Sequence, residues 1–96
     1  MINIMCSKNK LTLTIVGHAG YAEKGKDIIC AAVTALAGTL EKSLTEKEYG
    51  NCMWIEDVPI FYAEAKGCAQ PYFNTIVTGL RMLAEEYPEF INMKEL

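Results

Sequence analysis

The sequence lacks the features that export, membrane insertion or nucleic-acid binding would require. Residues 1–10 contain no basic stretch followed by a long apolar run, and no later segment reads as a membrane span. Twelve acidic residues against nine basic ones give a net charge of −3, which disfavours a nucleic-acid surface. We therefore expect a cytoplasmic protein that binds neither nucleic acid directly nor a membrane.

Closely spaced cysteine pairs are also missing. Cys6, Cys30, Cys52 and Cys68 lie 24, 22 and 16 positions apart, whereas structural zinc sites usually contain pairs such as C-x-x-C. Without an export signal the cysteines are expected to be reduced thiols. We expect no metal and no cofactor, and we interpret Cys6, Cys52 and Cys68 as small buried apolar residues.

The alternation of apolar and polar residues predicts one small domain, residues 1–96, with five strands and two helices. A chain of this length often gains stability by forming oligomers. The order β-β-α-β-β-α-(β) predicts an α+β fold of two layers, an antiparallel sheet with two helices. The predicted strands are residues 2–6, 11–16, 52–58, 60–66 and 90–93, and the predicted helices are residues 27–47 and 71–87.

Each predicted helix has an apolar stripe at helical spacing. The stripe of the first comprises Ile29, Val33, Leu36, Leu40 and Leu44, and that of the second comprises Phe73, Ile76, Val77, Leu80, Ala84 and Tyr87. Cys30 projects to the margin of the first stripe, on a flank that it shares with Thr34 and Glu41. Its thiol is therefore expected to be partly exposed.

His18, the only histidine, closes the second predicted strand. A period of two places it on the face of Thr12 and Thr14, away from the leucines, so its ring is expected to point toward solvent or a cleft.

The loop after His18 contains Gly20 and Gly25, and we interpret residues 19–26 as a substrate loop that closes over a bound peptide. The helix that follows is expected to begin with Asp27 as its N-cap and to carry Cys30 in its first turn. An imidazole that reaches a thiol there suits a thiolate nucleophile, with main-chain N–H groups around Cys30 as the oxyanion hole.

The residues G-H-A at 17–19 and D-I-I-C-A-A at 27–32, with a glycine-containing loop between them, closely resemble the motif of the bacterial ribosomal-processing cysteine protease family, Prp. The likeness extends to residues 80–89, which resemble the family's second helix and its end. The resemblance implies that His18 and Cys30 form the catalytic dyad and that Asp27 and Thr34 support it. Thr34 stands where serine is common, and Lys26 is a further departure in the loop, so both bear on specificity.

The resemblance further implies a homodimer that removes the N-terminal extension of a large-subunit ribosomal protein; some family members are thought to serve phage capsid maturation. We therefore predict a cytoplasmic cysteine endopeptidase whose partner is the N-terminal peptide of a ribosomal protein. The alternatives are a phage capsid-processing protease, a non-catalytic dimeric adaptor of ribosome or phage capsid assembly, and a thiol redox sensor based on Cys30.

Overall fold

The computed structural model describes residues 1–17, 26–55 and 59–96, with side chains from residue 28 onward in the second segment. A five-stranded sheet of order β3-β4-β2-β1-β5 forms one layer, and two helices form the other. The elements are β1 (Ile2–Ser7), β2 (Thr12–Val16), α1 (Lys26–Lys47), β3 (Gly50–Ile55), β4 (Ile60–Ala65), a 3-10 turn (Gly67–Ala69), α2 (Gln70–Glu86) and β5 (Ile91–Glu95). The predicted α+β class and element order are confirmed.

Both helices pack on the same face of the sheet. In β1 and β2 every second residue is buried, as the alternating pattern predicts, while their neighbours lie on the open face. Antiparallel pairing sets Ile4 opposite Ile15 and Cys6 opposite Leu13, so the buried residues of the two strands form one apolar surface. The core lies between this surface and the helices.

The sheet is mixed, which corrects the expectation of a wholly antiparallel one. β5 pairs with β1 in parallel, with Ile2 opposite Ile91 and Ile4 opposite Met93. The reason is the connection: β4 already runs in the direction of β1, and α2 carries the chain across the sheet before β5 begins. A helical crossover of this kind joins parallel strands.

α1 begins at Lys26, one residue before the predicted start, so Asp27 lies in its first turn and is not the N-cap. Its predicted stripe is confirmed at Ile29, Val33, Leu40 and Leu44, all buried, whereas Leu36 is only half-buried and Ala37 completes the buried face. Ile28–Lys47 is long and apolar enough by length and composition to cross a membrane, contrary to the sequence expectation. Core helices pass the same test, and here one face of the segment packs into the core.

α2 starts with Pro71 in its first turn, as predicted, where the missing N–H removes no helical hydrogen bond. Phe73, Ile76, Val77 and Leu80 are buried against the sheet. Tyr87 was expected to continue this stripe, but it is the C-cap residue, with φ −127°, and is exposed. The helix therefore ends one residue earlier than the apolar spacing predicts.

Candidate active site

A cavity of about 270 Å³ opens between α1 and the end of the sheet where β2 stops. It is lined by Ile2, Ile15, Gly17, Cys30, Val33, Thr34, Ala37, Trp54, Ile55, Pro59, Ile60 and Phe61. Among these lining residues only Cys30 and Thr34 carry a thiol or hydroxyl group, and most of the others are apolar. The cavity therefore presents a nucleophilic side chain at the edge of an apolar surface.

Cys30 is half-buried and packs against the core, as its predicted place at the margin of the α1 stripe requires. Because α1 starts at Lys26, Cys30 lies in the second turn, not in the first. In an α-helix with this start the N–H of Cys30 is donated to the carbonyl of Lys26. The N–H groups without helical partners lie before Cys30 in α1. The prediction that main-chain N–H groups around Cys30 form the oxyanion hole is therefore wrong for the N–H of Cys30.

Thr34 lies one turn after Cys30, is exposed, and lines the same cavity. The structure thus brings together two of the residues singled out in the sequence. His18, Gly20, Gly25 and the rest of the predicted substrate loop lie outside the described residues, as do the side chains of Lys26 and Asp27. Their assigned roles stay predictions.

Gly17 is a lining residue that sequence reasoning did not single out as part of the site. It has φ +100°, and an added Cβ would lie 2.5 Å from the carbonyl oxygen of Met1. Its N–H donates a hydrogen bond to the carbonyl of Pro59 at 2.9 Å. Glycine is required here, and the strand alternation that assigned His18 to the face of Thr12 and Thr14 ends at this residue.

An aromatic pair forms the wall of the cavity on the sheet side. The rings of Trp54 on β3 and Phe61 on β4 have centroids 4.6 Å apart and are tilted by 55°. Phe61 is buried, whereas Trp54 is 42% exposed. The sequence signal that could have found this wall is a lone tryptophan on a strand, but only the fold shows that Trp54 lines the same cavity as Cys30.

The remaining three cysteines differ in environment. Cys6 is buried as predicted, and burial followed by the charge of Glu95 raises the pKa of its thiol. Cys52 is half-buried, and burial followed by the charge of Glu41 raises its pKa to about 11. Cys68 is exposed in the 3-10 turn, so its interpretation as a buried residue is wrong.

All four cysteines lie within the described residues, and no disulfide joins them. In that same part of the chain no group of three or more His, Cys, Asp or Glu side chains is placed to hold a metal ion.

Residues 1–92 match the family model described as cysteine protease Prp. The chain is 32% identical to the ribosomal processing cysteine protease Prp of Mycoplasma genitalium, over 99% of this chain and 96% of that protein. It is 30% identical to the protein of the same name from Mycoplasma pneumoniae, over 99% and 95% of the two chains. The Bacillus subtilis protein of that name is also 30% identical, over 85% and 82%.

Solved structures share the fold. The essential ribosomal processing protease Prp from S. aureus, in complex with a substrate peptide, superposes with a TM-score of 0.84 at 21% identity, with both chains fully covered. Its complex with a covalently linked product peptide gives a TM-score of 0.83 at 22% identity, again with full coverage. The match to the family model spans nearly the whole sequence, and the chain belongs to the cysteine protease Prp family.

Proposed function

We propose that the chain is a cysteine endopeptidase in which His18 and Cys30 form the catalytic dyad, and that it removes the N-terminal extension of a bacterial large-subunit ribosomal protein. The observation that carries the proposal is the cavity that contains both the Cys30 side chain and Gly17. Gly17 directly precedes His18 in the sequence, so the residue next to the proposed catalytic histidine lines the same cavity as the thiol.

The chemistry assigned to these residues is acyl transfer. His18 takes the proton of the Cys30 thiol, and the thiolate attacks the carbonyl carbon of the scissile peptide bond. The C–N bond then breaks as His18 gives that proton to the departing amine. The acyl group stays on sulfur as a thioester. His18 then takes a proton from water, the hydroxide attacks the thioester carbonyl, and the thiolate leaves to complete the cycle.

The lining of the cavity supports a peptide substrate. Its apolar wall, with Trp54, Phe61 and Val33, suits an apolar side chain of the peptide, whose burial would hold a neighbouring peptide bond against Cys30. Thr34, one turn away, lines the same cavity, and we assign its hydroxyl a hydrogen bond with that peptide, as donor or acceptor. The names of the relatives, ribosomal processing cysteine protease, support a ribosomal protein as the source of the peptide.

We further propose that the chain is a cytoplasmic homodimer that has no direct contact with nucleic acid. A non-catalytic dimeric adaptor of ribosome or phage capsid assembly would keep the same fold, and a phage capsid-processing protease would keep the same chemistry. The test below separates the adaptor from the enzyme, and substitution of a capsid-protein peptide for the ribosomal one separates the two proteases.

The test is cleavage of a ribosomal-protein N-terminal peptide by the parent, by Cys30→Ser and by Cys68→Ser, followed by mass spectrometry. Serine nearly conserves the volume of the side chain but is not ionised at neutral pH, so Cys30→Ser is expected to lose about two to four powers of ten in rate. Cys68→Ser makes the same change in the exposed 3-10 turn and should cleave at the parental rate. Parental turnover by Cys30→Ser would refute the dyad, and no cleavage of the peptide by the parent itself would favour the adaptor.

A further inference from the structure

The two edges of the sheet differ in how they resist pairing with another strand. β5, at one edge, ends in Lys94 and Glu95, and Glu95 accepts hydrogen bonds from Arg81 on α2, the one from Nε at 2.8 Å. Lys8 Nζ lies 3.6 Å from the same carboxylate. Charged and anchored edge strands of this kind are protected against strand addition.

β3, at the opposite edge, has none of these protections within its own six residues, Gly50–Ile55. It contains no charged residue and no proline. Met53, Trp54 and Ile55 are consecutive large apolar residues, and they are 57%, 42% and 41% exposed. Among the described strands only β4 pairs with β3, and an apolar edge strand of this kind is a template on which an extended chain can pair.

The β3 edge continues into the cavity of the candidate active site. Trp54 and Ile55, at its C-terminal end, line that cavity together with Cys30. Further back along β3, Cys52 lies close enough to Glu41 of α1 for the Glu41 charge to contribute to raising the Cys52 pKa. Strand and helix therefore run side by side in opposite directions.

One flank of α1 borders this edge. Its residues recur at helical spacing: Cys30, Thr34 and Ala37 line the cavity, and Glu41 follows one turn later. From Cys30 to Glu41 the helix rises about 16 Å, which matches about five residues of extended peptide.

Resting on the proposed function, we infer that the peptide substrate binds as an added strand on the outer edge of β3, beside Cys30, Thr34 and Glu41 on the flank of α1, with the scissile bond at the Cys30 end. Main-chain hydrogen bonds to β3 hold the peptide in register. Alternate side chains then point toward the cavity layer and away from it.

Residue-resolved amide hydrogen exchange tests the added strand. Cys30→Ser protein is saturated with an uncleaved peptide that spans the cleavage site, and exchange is compared with the peptide-free protein. Alternate amides of β3 should slow by at least about tenfold, because outward N–H groups gain partners every second residue. The β5 amides, on the other edge, should not change. Unchanged exchange in β3 in the saturated protein would overturn the inference.

The β3 amides of the peptide-free protein are also measured at increasing protein concentration. If their protection rises with concentration, a second copy pairs with this edge, and the inference that the substrate peptide occupies it is overturned.

A kinetic test uses the parent protein and peptides that carry a single N-methyl group at successive positions. Loss of kcat/KM should alternate with a period of two at positions distant from the cleaved bond, because only every second peptide N–H faces β3. Losses without that period would contradict the added strand while leaving the proposed function intact. If the parent does not cleave the unmethylated peptide, the proposed function itself fails, and the inference fails with it.

A matched pair of variants gives a third measurement. Met53→Glu places a charge on the β3 edge, and Met5→Glu makes the same change on the open face of the interior strand β1, where Met5 is 47% exposed. Met53→Glu should raise KM severalfold with kcat little changed, and Met5→Glu should leave both unchanged. Equal effects of the two variants would contradict a role specific to the edge.

Discussion

The two halves of the molecule differ in how well their apolar residues are covered. We call the half built from α2, β1 and β5 the closed half, and the half built from α1, β3 and β4, which surrounds the cavity, the open half. In the closed half Phe73, Val77 and Leu80 are almost fully buried, and Arg81 anchors β5 through Glu95. In the open half Trp54 and Ile55 are partly exposed around the cavity, and Cys30 is only half-buried. Both halves contribute buried residues to the core, but only the open half leaves large apolar side chains exposed beside the cavity, where a peptide can reach the thiol.

The largest expected effect on stability belongs to the closed half. Phe73→Ala should lower the free energy of unfolding by about 3–5 kcal/mol, because it removes a fully buried ring and leaves a cavity that the core cannot refill. Urea unfolding measures the loss. Under conditions where the variant is folded, its KM should equal that of the parent, since Phe73 does not line the active-site cavity. A raised KM would show that the two halves are coupled.

Trp54→Ala makes the corresponding change in the open half. Because Trp54 is 42% exposed, we expect a cost of about 2 kcal/mol, below that of Phe73→Ala. Cleavage should respond in the opposite order, since Trp54 forms a wall of the cavity: its KM should rise while that of Phe73→Ala does not. A stability loss as large as that of Phe73→Ala, with parental KM, would break the distinction between the halves.

Gly17 follows the last residue of β2, at the end of the sheet where the cavity opens. Gly17→Ala should cost about 1–2 kcal/mol, because φ +100° is unfavourable for a residue with a Cβ and that atom would contact the Met1 carbonyl. Gly38→Ala is the matched control. Gly38 lies within α1, and in the described part of the chain no atom outside the neighbouring helix backbone lies within 4 Å of an added Cβ, so alanine there should stabilise by about 0.5–1 kcal/mol. The same sign for both variants in thermal unfolding would contradict the strain at Gly17.

Local pattern was enough to predict most of the fold. Strand alternation and helical spacing depend on neighbours in sequence, so β1, β2, α1 and α2 and the marginal position of Cys30 followed from the residues. The parallel pairing of β5 did not, because it depends on where α2 crosses the sheet. The exposure of Cys68 and Tyr87 was missed because both lie just outside the helical repeat, where periodicity carries no information.

The candidate site was less predictable than the fold. Cys30 and Thr34 are one helical turn apart, so their shared flank follows from α1 alone. Gly17, Trp54 and Phe61 join them only because three strands end or begin at the same end of the sheet. These residues are far apart in sequence, so strand alternation and helical spacing, which relate only neighbouring residues, do not predict that they meet.

The raised pKa of Cys52, which lies in the edge strand β3, predicts a loss of stability at alkaline pH. Its folded-state pKa is raised to about 11 from a usual value of 9.0, first by burial and then by Glu41. The stabilising protonated form is therefore fully present below about pH 9 and is lost as pH rises through about 11. Cys52→Ala should unfold with a weaker pH dependence across that window than the parent. Cys68→Ala, at an exposed position, should follow the parent, and a Cys52→Ala curve that also follows it would exclude this contribution.

The smallest expected effect belongs to the ion pair that anchors the closed edge. Hydrogen bonding by Arg81 holds the pKa of Glu95 below its usual value of 4.5, so the ionised form stabilises the fold above that value. That contribution is lost as pH falls through the lowered folded-state pKa. Glu95→Gln should therefore be slightly less stable than the parent at neutral pH. The difference should shrink below about pH 4.5, and also at high salt because both partners are partly exposed to solvent. Glu86→Gln, an exposed carboxylate at the end of α2, controls for the change in net charge. A stability difference between parent and Glu95→Gln that stays constant from neutral to acidic pH would show that packing of the side chain, and not its charge, holds β5 against the closed half.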